Sequence, residues 1–415
     1  MSSSEVTLGL RENAAQFGLL VAVNALVGAM IGLERSTLPL IGEDEFGLGS
    51  SAAVLSFIVA FGLAKSLTNL GAGALASRIG RRRLLIIGWA MALPAPLLIA
   101  LAPSWGWIVA ANVFLGINQG LAWSMTVVMK IDLVGPERRG LALGLNEAAG
   151  YGGLAISAAV SGWLAAELVA RDVLVVAGLV IAAAALALSV LLVRDTADHV
   201  ELEQARDHAS SHARPPRLRE AFPDASYRVP ALRACSQAGL VNNLNDALAW
   251  GITPLFLASA GAGVGEIGLI AGLYPAIWGI GQIWTGHWSD QVGRKPLIVA
   301  GMLIQAAALT VLAASGGRVE IAAISATGLG IGTALVYPTL IAAISDNVTP
   351  VARAATIGVY RFWRDMGYVF GGLLAGVTAD GLGFDGAIGV VAGLTLLSGL
   401  WVAADLRDRG GAAAS

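Results

Sequence analysis

Sulfur, imidazole and charge are scarce in this chain. Of its 415 residues, one is cysteine (Cys235) and four are histidine. A single thiol excludes an intrachain disulfide, a cysteine-based metal centre and a redox pair. Three of the histidines, His199, His208 and His212, sit in one polar stretch, and His287 lies in a turn. That spacing fits no tight ligand set, so neither a metal nor a cofactor is expected. No G-x-x-x-x-G-K-[ST] pattern occurs, and the loops are too short for a nucleotide-binding domain. These absences argue against an enzyme. Charged residues make up 13% of the chain, about half the share in a soluble domain. Net charge is −2, and no basic tract stands apart from the short loops, which excludes nucleic acid as a partner. The first apolar run lacks a basic flank and an A-x-A site. It reads as a retained membrane helix, not a signal peptide.

What the chain has in abundance is hydrocarbon. Hydrophobic residues make up 56%, and mean hydropathy is +0.73. The lipid bilayer is the solvent such a surface requires. A spanning helix needs roughly 20 mostly apolar residues. Twelve runs qualify: 17–41, 50–76, 84–102, 106–129, 139–165, 172–193, 232–258, 265–288, 297–315, 320–344, 354–378 and 386–404. An all-α membrane protein of twelve helices is the predicted fold class. Between helices six and seven the composition turns charged and rich in His, Ser and Pro. The chain is therefore divided into residues 1–193, a linker at 194–231, and residues 232–415.

Lysine and arginine set the orientation. Twenty of the 26, from Arg11 to Arg409, fall in the termini, the linker and alternate loops; only Arg171 and Arg318 fall on the opposite side. The bias predicts both termini in the cytoplasm, in a cell inner membrane.

The chain also repeats itself. Gly73-Ala-Leu-Ala-Ser-Arg-Ile-Gly-Arg-Arg-Arg83 returns as Gly286-His-Trp-Ser-Asp-Gln-Val-Gly-Arg-Lys-Pro296, and 286 − 73 = 213. At an offset of 214, Pro136, Arg139 and Gly144 match Pro350, Arg353 and Gly358, while Asp132 matches Asp346. The basic turn with its glycine spacing resembles the G-x-L-A-D-R-x-G-R-[KR] loop of the major facilitator superfamily. The resemblance implies secondary transport by alternating access between two parallel six-helix halves, with the small-molecule site between them. It also implies that the loop acids and bases latch the cytoplasmic side. Gly73, Arg78, Gly80, Arg81 and Asp132 form the first set, and Gly286, Asp290, Gly293, Arg294 and Asp346 the second. Ser77 replaces the acid in the first half, which predicts a weaker latch there. Helix five lacks the Gly-Pro stretch common in drug exporters of this family.

Charges inside helices cost at least about 2.5–3.5 kcal/mol each at the bilayer centre, so their placement is informative. Helices three, nine and twelve carry none and helix six only Asp172 at its first position, and in the resembled family these four form the outer scaffold. Helix eleven carries Arg361, Arg364 and Asp365 on one face, continued by Tyr368. Arg361 is expected to pair with Asp365 along the helix. Arg364 is then left for an anionic ligand, because its planar fork suits carboxylate or phosphate. Substrate-binding candidates are Arg361, Arg364, Tyr360, Tyr368, Lys65, Asn118, Gln119 and Tyr337. The alternative for the arginines is an internal ion-pair network. Glu147 maps onto Arg361 under the repeat, which reads either as a proton carrier facing it across the cavity or as a static bridge. Asp246, Glu34 and Asp365 are the other proton-coupling candidates. Arg35 is expected to snorkel to the headgroups. The functional reading is a proton-coupled transporter, with export and an organic anion favoured, working as a monomer. The alternative is a non-transporting membrane sensor or assembly factor on the same fold.

Overall fold

A chain this apolar cannot leave backbone N–H and C=O groups unpaired in lipid, so helices satisfy them locally. The computed structural model describes residues 6–135, 139–206 and 218–407. Side chains at 73, 74, 77, 139–141, 143, 204–206, 286, 287, 350, 351 and 354 also lie outside the description. Every regular element among the described residues is helical.

In chain order these are α1 (Ala14–Arg35), α2 (Leu38–Asp44), α3 (Ser51–Val54), α4 (Ser56–Ile79), α5 (Arg81–Ala92), α6 (Pro94–Leu101), α7 (Trp105–Val134), α8 (Arg139–Glu167) and α9 (Ala170–Leu191). The linker holds α10 (Ala197–Arg206), α11 (Leu218–Pro223) and a π-helical turn, Asp224–Arg228. Then follow α12 (Pro230–Ser259), α13 (Val264–Val292), α14 (Arg294–Ala313), α15 (Val319–Asn347) and α16 (Pro350–Asp405).

Ten stretches among the described residues are long and apolar enough to cross a membrane. The last of them, Ala355–Asp405, is a 51-residue stretch that breaks at Gly383 (φ 75°), which divides it into two crossings. α12 is absent from the ten; Asn242, Asn243, Asn245 and Asp246 interrupt its apolar run. Counting α12 and both parts of α16 restores the twelve runs read from the sequence. The predicted first helix is interrupted at Ser36–Thr37, where Pro39 opens a new helix. The linker, read from its charged composition as a connection between the halves, is partly helical. Its Phe222 ring lies 5.8 Å from Phe362 and 5.9 Å from Trp363.

Small residues let the helices approach closely, as lipid-embedded packing requires. α1 meets α8 where Gly28 faces Gly150, and α12 meets α16 where Gly367 faces Leu240. Across the two halves, α8 packs on α13 and α4 on α16. These cross-half contacts are tightest at the end away from the termini. A Cβ on Gly162 would lie 2.6 Å from Cα of Gly268, and one on Gly376 would lie 2.5 Å from Cα of Ala52. Asp380 of α16 caps the other half there, accepting from Ser51 N (2.6 Å), Ser50 Oγ (2.6 Å) and Ala52 N (3.3 Å). Toward the terminal end, the repeat-related Gly144 and Gly358 meet nothing within 4 Å. Among the described residues, the backbone-to-backbone approaches between the halves at Gly162 and Gly376 close the end away from the termini.

Candidate functional site

Between the halves lies a small polar cavity. It is lined by Lys65 and Asn69 of α4, Trp123 and Ser124 of α7, Tyr151 of α8, Tyr337 of α15, and Arg361, Arg364 and Asp365 of α16. The face Arg361–Arg364–Asp365 is thus turned into the interface.

Its pairing differs from the expectation. Asp365 accepts from Asn69 Nδ2 (2.5 Å) and faces Lys65 Nζ at 3.4 Å. Ser124 Oγ in turn donates to Asn69 Oδ1 (2.8 Å). Arg361 has no hydrogen bond or ion pair among the described residues. The cross-half partners win because a buried ammonium has nowhere else to go, whereas Arg361 is partly exposed and stays hydrated.

Arg364 is buried but not free. Its Nη2 donates to Tyr151 Oη (3.2 Å) in the other half, and its Nη1 stands 3.8 Å from Asp365. Its Cζ lies 4.1 Å from the Tyr337 ring centroid and 5.8 Å from that of Trp278. Nε has no partner. A guanidinium over ring faces keeps much of its attraction without hydrogen bonds, and its open edge can take up an oxyanion.

An aromatic column backs this group. Tyr151 and Trp278 have centroids 3.6 Å apart, Tyr274 stacks on Trp278 at 5.8 Å, and Trp250 stacks on Tyr368 at 5.8 Å. Beside the column, Asp246 accepts from Tyr274 Oη and from Tyr368 Oη, the latter at 3.3 Å. Trp123, Trp250, Trp278 and Asn69 were not singled out from the sequence. A signal was available: tryptophans normally gather at the membrane interfaces, and these three stand mid-helix.

Glu147 does not meet Arg361 in this conformation. Its Oε1 accepts from Trp123 Nε1 (3.0 Å) and Asn146 Nδ2 (3.2 Å), and its Oε2 is buried without a hydrogen-bond partner among the described residues. Asn118 and Gln119 lie away from the cavity. They donate to the backbone carbonyls of Gly88 (2.9 Å) and Val27 (2.7 Å), tying α7 to α5 and α1. Tyr360 is also elsewhere, packed against Gly239 inside the second half. Glu34 lines a separate apolar pocket with Met30, Ala95, Pro96, Leu174 and Gly178. A helical register puts these four on the wrong face for the cavity, which residue type alone does not reveal. Arg35 does not snorkel; it is fully buried. Lys130, one of the twenty cations counted outside the membrane helices from the sequence, is a buried residue of α7 whose Nζ donates to Leu20 O (3.3 Å).

The loop motifs form bonds within each half. Arg81 Nε pairs with Asp132 (2.6 Å), which Thr196 also reaches (2.6 Å). Arg294 bridges Asp290 (2.6 Å) and Asp346 (2.9 Å). Gly80 (φ 89°) and Gly293 (φ 97°) make the same left-handed break in each half, a conformation that favours glycine. Arg78 is exposed, while the side chains at 73, 77 and 286 lie outside the described residues.

Two halves with matching loops, closed at one end around a buried charged cavity, define a membrane transporter. The sequence pattern of the Major Facilitator Superfamily matches residues 17–235 and again 235–414, and the chain belongs to that family. It is 26% identical over 416 residues to an uncharacterized MFS-type transporter, STM4428, of Salmonella typhimurium, covering 95% of each chain. A second MFS-type transporter, YddS of Bacillus subtilis, is 29% identical over 127 residues, 30% of this chain and 29% of its own. A crystal structure of a mutant of the nucleoside transporter NupG superposes with a TM-score of 0.70, covering 94% of this chain and 100% of that one. At 12% identity that likeness concerns the fold alone.

Proposed function

We propose that this chain is a proton-coupled secondary transporter whose cargo carries an acidic group, and that it exports that cargo in exchange for protons. It works as a monomer in a cell inner membrane, with both termini and the linker on the cytoplasmic side. The halves 1–193 and 232–415 rock about the cavity between them. One observation carries the cargo assignment: Arg364 is held on aromatic rings with Nε unpaired, beside an Arg361 that has no acid partner. A neutral nucleoside, the cargo named for the structural relative, would leave this positive charge unused.

In this reading Arg361, Arg364 and Lys65 hold the acidic group. Tyr337, Tyr151 and Trp278 pack against the rest of the cargo. An anion arriving at Arg364 competes with Asp365 and frees it. Glu147 and Asp246 are the proton carriers, because each is a buried carboxyl group with no cation partner within ion-pair distance among the described residues. A sensor with an occluded, fully paired site is disfavoured by the unpaired Arg361.

The test is flux into proteoliposomes with an imposed pH gradient, over a panel of mono- and dicarboxylates, organophosphates and nucleosides. Gradient-driven movement of an acidic compound is expected. Movement of neutral nucleosides alone, or no dependence on the gradient, overturns the reading.

A further inference from the structure

Arg35, at the end of α1, is fully buried, and none of its three nitrogens has a hydrogen-bond partner among the described residues. Among the described residues no acid lies within ion-pair distance of it. Instead three rings surround the guanidinium, with centroids 4.8 Å (Phe61), 5.1 Å (Trp250) and 5.8 Å (Phe57) from Cζ. Phe57 and Phe61 belong to α4 and Trp250 to the opposite half. Five buried N–H donors without acceptors are costly, and cation–π attraction replaces only part of what they lose. A second position would satisfy them. α12 seals this box where Gly251 meets Leu55 and Ile58, in the end of the interface that is closed here.

We propose that Arg35 is a second anion-binding site, for a carboxylate or phosphoryl group, exposed when the halves part at the end away from the termini. Withdrawal of Trp250 uncovers the guanidinium fork, and an oxyanion takes the place of the rings. On closure the rings return and the anion is released. The proposal rests on the reading of an acidic cargo but concerns a different residue from the central site.

The test uses the purified full-length chain with sodium iodide, acetate and phosphate. Iodide quenches tryptophan on contact, and the opening that admits an ion to Arg35 also uncovers Trp250 at the mouth of the site. The wild type should show a saturable quenching component, absent from Trp250→Phe and from Arg35→Gln, that acetate or phosphate displaces. Displacement by acetate identifies a carboxylate site and displacement by phosphate a phosphoryl site. Quenching that is only linear in iodide overturns the proposal, as does a saturable component that survives Arg35→Gln or resists both oxyanions. Should Arg35→Gln fail to fold, Arg35→Lys replaces it. A roughly tenfold weaker displacement by the effective oxyanion is then expected, since a point charge lacks the fork, and an unchanged midpoint overturns the proposal. The component should persist in Arg364→Gln, and its loss there also overturns the second site. Persistence of both this component and transport in Arg364→Gln would instead refute the central-site reading and leave Arg35 standing.

Discussion

Lys65 of α4 and Asp365 of α16 form a 3.4 Å ion pair that joins the two halves of the chain at the cavity. Each side chain is less than a tenth exposed. Removing one member of a buried pair strands the other charge, at about 3–5 kcal/mol. Asp365→Asn should therefore lower the thermal unfolding midpoint clearly, and adding Lys65→Met should recover part of that loss. A double variant less stable than the single one would show that the ammonium has another partner.

Arg364→Ala should abolish cargo transport while folded protein remains in the membrane. Arg364→Lys should also fail, by roughly 10–100-fold, because a charge-assisted bond of about 1.5–3 kcal/mol depends on the fork. Normal transport in the lysine variant would show that charge alone suffices; the readouts are initial flux and size-exclusion behaviour.

Glu147 has one carboxylate oxygen engaged and one free. Glu147→Gln preserves the bonds to Trp123 and Asn146 in shape but cannot exchange a proton. Counterflow should persist while accumulation driven by the pH gradient disappears. Gradient-driven accumulation at wild-type level would transfer the role to Asp246, for which Asp246→Asn is the matching variant.

Asp380 caps the first turn of α3 from the opposite half. Losing such a cap costs about 1 kcal/mol, roughly a fivefold change in a two-state ratio. Asp380→Ala should shift spin-label distances across that end toward longer values. Unchanged distance distributions would show that glycine packing alone holds this end shut.

The loop acids differ in environment, and their variants should differ accordingly. Asp132 is mostly buried and serves both Arg81 and Thr196, while Asp290 is 63% exposed on an i,i+4 pair. Asp132→Asn should destabilise by about 1–3 kcal/mol and Asp290→Asn by about 0.5 kcal/mol or less. Equal shifts in thermal midpoint would contradict this. The missing acid at Ser77 therefore does not prevent a bonded first-half loop, because Asp132 and Thr196 supply the acceptor and its support.

Much of the molecule follows from sequence alone. Runs of about 20 apolar residues dictate membrane helices, since lipid offers the backbone no other partner. The 214-residue offset dictates two related halves. The spacing of Arg361, Arg364 and Asp365 places them on one face of one helix. Partners were a different matter. Nothing local to Asp365 favours Lys65, some 300 positions away, over Arg361 one turn away. The choice falls to whichever charge the packing of α4 against α16 leaves without water. The same packing turned Asn118, Gln119, Tyr360 and Glu34 away from the cavity, and drew Trp123, Trp250 and Trp278 into its surroundings. It also enclosed Arg35 in rings from both halves. Helical register and hydrophobic period are local properties and can be read along a chain. Which buried charge meets which depends on the approach of two bundles, and only the tertiary structure decides that.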